Sequence, residues 1–301
     1  YGQPQYGQPQ YGQPQWGRPQ WGAYGAPYKP GIVPLRPMGV GEILDGAFTN
    51  LRRNPGATLG LSAAVITVVE LVRLGAELAF RDARGAASGA LFVLTSLLSF
   101  VATLLLAGAL TVVIGEAVLG GKIRAGAAVA RLRPRLAGLV GLSVLVTLLT
   151  ALGLLALVIG AIYVGVLLSL ATPAYVLEGG GIRAAMRRSR ELVRGSWWRV
   201  LWVLLLAAVV TSIVSGVILF VPLTLVGASA GPGFVDTGGD LSTGALVVVT
   251  LASIVAGTIV QPVQAGVTAL LYVDRRMRKE GLDVALARAA GERAGAARPP
   301  G

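Results

Sequence analysis

The sequence predicts an all-α, polytopic transmembrane helix bundle of about six spans, with short basic amphipathic surface helices. Three observations predict it. Hydrophobic residues make up 54% of the 301-residue chain and charged residues 13%, whereas an average soluble domain is about a quarter charged. Mean hydropathy is +0.71. The apolar residues gather into runs of about 20 or more, the length a helix needs to cross a hydrocarbon core of about 30 Å. A net charge of +12 would suggest nucleic acid in a soluble protein. In a membrane protein it reflects Lys- and Arg-rich cytoplasmic loops.

Composition also excludes chemistries. Cysteine and histidine are both absent. Disulfides, a thiol nucleophile and a zinc or haem site go with them, as does a His general base. No cofactor and no metal is expected, and a non-enzymatic role is the leading expectation. An enzyme would have to work with carboxylates such as Glu116 or Glu178. Arg far exceeds Lys, and Ala, Gly and Val dominate, which fits a GC-rich bacterial genome.

The chain opens with YGQPQ three times, then WGRPQ and WGAYGAPYKP. Such a repeat buries too little apolar surface to offset its ordering entropy, so residues 1–37 are expected to form a disordered tail. Its spaced Tyr and Trp rings offer a site for self-association or a protein partner. In VGEILDGAFTNL, the residues Val40, Ile43, Leu44, Ala47, Phe48 and Leu51 form one helical stripe. At about twelve residues this helix is too short to span and is expected on the membrane surface. Asn54-Pro55 stops it.

Five apolar runs follow: Gly56–Phe80, Ala90–Leu119, Leu136–Leu177, Val200–Ala228 and Ala245–Val273. The third would measure roughly 63 Å as one helix, so it divides into two spans near Gly153–Gly160. The six-span domain then covers 38–287, and 288–301 form a second disordered tail. A basic element precedes each of the three hairpins: LRRNP, KIRAGAAVARLRPR and RAAMRRSRELVRGSWWR. This order suggests a weak threefold internal repeat.

Topology follows from charge. Residues 1–54, 121–135, 183–199 and the stretch after Tyr272 carry five, five, six and seven Lys and Arg, 23 of the chain's 26. Six spans place all four on one face, which is expected to be cytoplasmic in a bacterial plasma (inner) membrane, with both termini inside. In the third basic element Ile182, Ala185, Met186, Ser189, Leu192 and Val193 share one helical face. Arg183, Arg187, Arg188, Arg190 and Arg194 lie on the other. These arginines are expected to meet anionic lipid headgroups, at about 1 kcal/mol each, while Trp197, Trp198 and Trp202 anchor the next span at the interface. No base-reading motif accompanies them, so nucleic acid is not an expected partner.

Two groups of polar residues fall within spans. Glu70, Arg73 and Glu77 share a helix face at i, i+3 and i+7. Ionisable residues at membrane depth face a bundle interior or a cavity, which would make them part of an ion or substrate path with Arg73 bridging both acids. Alternatively the span ends near Val69 and the three pair along the helix at the far interface. Gln261 and Gln264 flank Pro262, where a freed carbonyl and two amides could line a cavity. Pro173 and Pro222 are similar breaks or ordinary kinks. Glu116, Glu178 and Asp274 each sit near the inner end of a span, just before basic residues, and are expected to pair with the surface helices.

The blocks LRPMGVGEILDGAFTNLRRNPGATLGL, TPAYVLEGGGIRAAMRRSRELVRGSWWRVL and QPVQAGVTALLYVDRRMRKEGLDV resemble actinobacterial multi-pass membrane proteins of unknown function. They are similar to the membrane domain found ahead of glycerophosphoryl diester phosphodiesterase domains. The resemblance covers about Pro34–Ala287. It implies the role of the membrane module alone: the phosphodiesterase barrel needs His and roughly 250 residues, and this chain has no His. The leading expectation is a membrane scaffold or lipid-associated module. The alternative is a transporter-like protein with a polar path near Glu70/Arg73/Glu77 and Gln261/Gln264. Deleting residues 1–30 is expected to leave membrane insertion and the thermal midpoint in detergent unchanged, as read from the membrane fraction and a melting curve.

Overall fold

The computed structural model describes residues 31–34, 36–81, 86–153, 155, 157–230 and 241–281. The N-terminal repeat, the expected tail 288–301 and the domain's end at 287 lie outside the described residues. The described residues form ten α-helices: α1 Val40–Arg53, α2 Pro55–Ala79, α3 Ala86–Val118, α4 Ala125–Leu132, α5 Leu136–Gly153, α6 Leu157–Leu168, α7 Ala171–Glu178, α8 Ile182–Val193, α9 Trp197–Ala230 and α10 Thr243–Glu280. Six stretches are long and apolar enough to cross a membrane: α2, α3, α4 running into α5, α6 running into α7, α9 and α10. The chain is a multi-pass membrane protein built as a helix bundle.

Local chemistry sets the boundaries. Glu42 reaches back to accept the Gly39 N–H at 2.7 Å and starts α1. Pro55 occupies the first turn of α2, where its missing N–H costs nothing. Between α6 and α7 the helix breaks at Ser169–Leu170. Pro173 explains the break, because its ring crowds the carbonyl four residues back and it has no N–H to donate there. Pro222 and Pro262 are instead carried inside α9 and α10. The turn between α5 and α6 is tight: a Cβ on Gly153 would lie 2.8 Å from the Gly160 carbonyl oxygen.

The element order repeats the expected pattern of a short helix followed by two spans, but the short helices are not free surface elements. α1 buries Ile43, Gly46, Ala47 and Asn50 and packs against α10. A Cβ on Gly266 of α10 would come within 2.8 Å of the Ala47 Cβ, so the crossing is close because residue 266 is glycine. α4 buries Ala128 and Leu132 and continues through a 3₁₀ turn, Arg133–Arg135, into α5. α8 buries Ala185, Met186, Ser189, Leu192 and Val193, as its period predicts. It buries them against α5, α6, α7 and α10 rather than in lipid.

One boundary needs correcting. Residues 31–34 belong to the folded body rather than to a solvated tail: Ile32 and Val33 are at most 2% exposed, as buried as Met38 of the membrane domain. The Ile32 N–H donates to the Ala117 carbonyl at 3.2 Å and Arg53 donates to the Gly31 carbonyl at 2.9 Å.

The core is lopsided. The largest fully buried side chains, among them Tyr272, Ile32, Ile43, Ile114, Leu139 and Leu192, lie in the half of the bundle that carries the basic residues. Toward the opposite end large apolar side chains face outward, with Phe92 and Ile159 more than two-thirds exposed, as lipid-facing helices require. At that end Arg81 donates to the Leu241 carbonyl and to Thr243 Oγ1, tying the end of α2 to the start of α10. The substitution Gly266→Leu should force α1 from α10 at a cost of about 1–3 kcal/mol. The check is a lower thermal midpoint in detergent together with faster proteolysis after Arg52 or Arg53.

Candidate functional site

Two places concentrate polar chemistry: a charged rim at the basic end and a groove in the opposite half. α10 organises the rim. Its 38 residues measure about 57 Å, far more than a hydrocarbon core, so its last turns project beyond the apolar layer. Asp274 is fully buried and accepts the Met38 N–H at 2.8 Å and Arg278 Nε at 2.9 Å, with Arg199 at 3.5 Å. Both arginines also donate to the Met38 carbonyl, each at 2.7 Å. Met38 is thus clamped through both its N–H and its carbonyl between the start of α9 and the end of α10.

Arg275 and Lys279 treat α8 differently. Arg275 donates to the Leu192 carbonyl at 3.1 Å and to Ser196 Oγ at 2.6 Å. Lys279 donates to the carbonyls of Glu191 and Arg194. These are the carbonyls that the end of α8 leaves without helical partners, and cations suit that end of the helix dipole. Gly195, at φ +81°, supplies the left-handed residue that turns the chain toward α9.

A third cluster joins α7, α8 and α10. Glu178 accepts Arg188 Nε at 2.9 Å and the Tyr272 hydroxyl, and Arg188 also meets Glu280 at 2.5 Å. Arg276 pairs with Glu280 at 3.1 Å and lies over the Tyr272 ring. Burial alone would lower the Arg188 pKa. Its hydrogen bonds to Glu280 and Glu178 outweigh burial and raise it, so this guanidinium stays charged. Glu116 pairs with Arg131 of α4. Glu116 and Glu178 therefore meet the surface helices as the sequence suggested. Asp274 pairs instead with its own helix and with α9.

The expected lipid-contact residues divide. Arg183, Arg187, Arg190 and Arg194 are exposed, with Arg187 3.8 Å from Glu191. Arg188 is a correction: it turns inward to Glu178 and Glu280. Trp198 is exposed at 67%. Trp197 is half-buried, stacks on Tyr163 at 5.7 Å and donates to its carbonyl at 3.3 Å, so it anchors α9 on α6 rather than on lipid alone.

The intramembrane path also needs correcting. Arg73 lies 4.0 Å from Glu70, while Glu77 is exposed and outside this pair. Gln264 donates to Thr211 Oγ1 on α9 at 3.2 Å. Gly257 of α10 lies level with Ile66 of α2. Counting turns from there along antiparallel helices puts Gln264 roughly 16 Å nearer the basic end than Glu70. The two groups are therefore not brought together.

What the sequence reading missed is the second place. A groove of about 760 Å³ runs beside Arg73, between α2, α3, α5 and α7. Thr95, Ser96, Ser99 and Thr103 line it from α3. They stand at i, i+1, i+4 and i+8, one stripe of a helix. Ser143 and Thr147 face it from α5, one turn apart, and Thr172 from α7. The 3.6-residue period, applied to hydroxyls in the stretch TSLLSFVAT, would have exposed this stripe. Applied to apolar residues it shows nothing there.

Fold and site together define a polytopic membrane protein with a charged rim at one end and a hydroxyl-lined groove in the other half. Residues 99–275 match the family profile described as a domain of unknown function, DUF7847, and the chain belongs to that family. The match runs from Ser99 in α3 to Arg275 at the rim. No curated protein matches the chain, and no solved structure does. Replacing Asp274 with Ala would leave the two clamping arginines without their buried counter-charge and the Met38 N–H without its acceptor, a loss of about 3–5 kcal/mol. A thermal melt in detergent, with proteolysis of the N-terminal segment as a second reading, measures it.

Proposed function

We propose that the chain is a non-enzymatic, lipid-associated module of the bacterial inner membrane, with its basic end in the cytoplasm. The observation that carries this is the charge balance of that end. Among the described residues it holds eighteen Lys and Arg against seven Asp and Glu. Six of those acids are already engaged: Glu42, Glu116, Glu178, Glu191, Asp274 and Glu280 pair with arginines of the same end. Arg183, Arg190 and Arg194 therefore stay exposed with no carboxylate beside them among the described residues. Anionic headgroups of the adjoining leaflet are the natural counter-charge, at about 1 kcal/mol for each cation near the surface. The cytoplasmic assignment follows the same excess. The similarity of the Pro34–Ala287 blocks to the membrane domain ahead of glycerophosphoryl diester phosphodiesterases supports a lipid-linked role.

A non-enzymatic role is supported by the composition and by the fate of the two carboxylates an enzyme would need. Glu116 and Glu178 are both held by arginines, and Glu178 also accepts the Tyr272 hydroxyl. A transporter-like role draws on the groove beside Arg73, and not on a line through Gln261 and Gln264.

The combined variant Arg183→Gln/Arg187→Gln/Arg190→Gln should lose anionic lipid during purification in mild detergent. Native mass spectrometry should show the phosphatidylglycerol and cardiolipin adducts held by these arginines weakened about a hundredfold, the factor for about 3 kcal/mol. Unchanged adducts would refute the assignment. The absence of cysteine makes sidedness directly measurable: with an impermeant maleimide, Ser242→Cys should label in intact cells and Arg190→Cys only after permeabilisation.

A further inference from the structure

The hydroxyls in the groove are not all accounted for by the protein. In a helix within a membrane, a Ser or Thr ordinarily donates to the carbonyl one turn back. Thr111, Thr150, Thr211 and Thr258 do so here, and so do Thr95 and Ser99 on the wall of the groove. Ser96, Thr103, Ser143, Thr147 and Thr172 face the same space and make no hydrogen bond to any described group. A hydroxyl facing hydrocarbon without a partner is costly. Five on three helices facing one space call for something that accepts hydrogen bonds.

Arg73 states the charge of that ligand. It lies about 27 Å along α2 from Pro55, near the far edge of a hydrocarbon core of about 30 Å. Its side chain is 56% exposed, and its neighbour Glu70 is 4.0 Å away, which leaves most of its N–H fork free for an oxyanion. From Phe92 to Ala107 the α3 wall runs about 22 Å inward. The outer flank is apolar and faces lipid: Phe92 is 72% exposed, with Val93 and Leu97 beside it.

We propose that this groove receives the headgroup of an anionic phospholipid from the leaflet opposite the basic end. Its phosphate pairs with Arg73. Its headgroup and ester oxygens accept from the hydroxyls at the outer end of the groove, Ser96 and Thr147 among them, and its acyl chains stay in the bilayer along the exposed face of α3. The chemistry, a phosphate oxyanion with several acceptor oxygens, is shared with soluble glycerol phosphate. The lateral opening onto Phe92 favours the lipid. The proposal deepens the lipid-associated reading at a second site, independent of the α8 arginines.

The test uses the full-length chain in lipid nanodiscs, with a nitroxide on Thr103→Cys or, separately, on Thr147→Cys. In phosphatidylcholine both labels should collide with a water-soluble nickel chelate. Adding phosphatidylglycerol should shield them, and with Arg73→Gln present about ten times more of it should be needed, the factor for one charge-assisted contact. Three results would overturn the proposal: labels reached by oxygen but never by the chelate, shielding by sn-glycerol 3-phosphate as strong as that by the lipid, or shielding indifferent to Arg73→Gln. The Arg183/Arg187/Arg190 variant should leave the shielding intact. Its loss of adducts with groove shielding preserved, or the reverse, tells which of the two sites has failed.

Discussion

The buried carboxylate of Asp274 constrains the structure more than any other group. A charge with no exposed surface is tolerated only when its oxygens are satisfied, and Asp274 satisfies them with the Met38 N–H and the guanidinium groups of Arg278 and Arg199. Each partner brings an element with it. Met38 brings the N-terminal segment and α1, Arg199 the start of α9, and Arg278 the last turn of α10 itself. The next residue, Arg275, fixes the end of α8. The basic end is therefore a single knot, and six of its seven described acids are tied with arginines. The order of elements along the chain has little to do with this. Asp274 and Met38 are separated by 236 positions.

Burial falls off away from this knot, from fully buried Leu139, Leu192 and Tyr272 near it to outward-facing Phe92 and Ile159 at the far end. The groove opens toward that end. Small and hydroxylated side chains on α3 and α5 hold it open, since none of them can fill the space that a leucine would. Arg73 stands at its mouth on α2, whose end is tied to the start of α10 through Arg81.

Much of this was legible in the sequence. The spans follow from run length and hydropathy. The inward face of α8 follows from a 3.6-residue period, residue for residue, because one face of Ala, Met, Ser, Leu and Val against one of arginines admits a single orientation. The pairing of Glu116 and Glu178 with surface helices followed from their position before basic residues. What could not be read was what lies against a given face. α8 was expected on lipid and lies on the bundle, since an apolar stripe does not say which apolar surface covers it. Glu70 and Gln264 were joined into one path because each is polar within a span. Their separation of roughly 16 Å along the axis depends on how α2 and α10 are offset, which periodicity cannot supply. Ile32 and Val33 were hidden by composition: two apolar residues at the end of a Gln/Pro/Gly repeat are averaged away, although both are buried.

The two polar places differ in kind, and the difference bears on what the molecule can do. At the basic end nearly every carboxylate is satisfied internally, so the remaining arginines hold a fixed surplus of positive charge. Fixed charge of this sort orients a protein and attracts anionic lipid without needing to move. In the groove the reverse holds. Five hydroxyls have no partner among the described residues, beside a guanidinium that meets Glu70 only at 4.0 Å. A surplus of unsatisfied donors is stable only in exchange with something outside the chain. The knot closes the basic end with buried and paired side chains, while the groove opens toward the end where large apolar side chains face outward. The fold spends its polar pairing at one end and, among the described residues, leaves groove hydroxyls without protein partners toward the other.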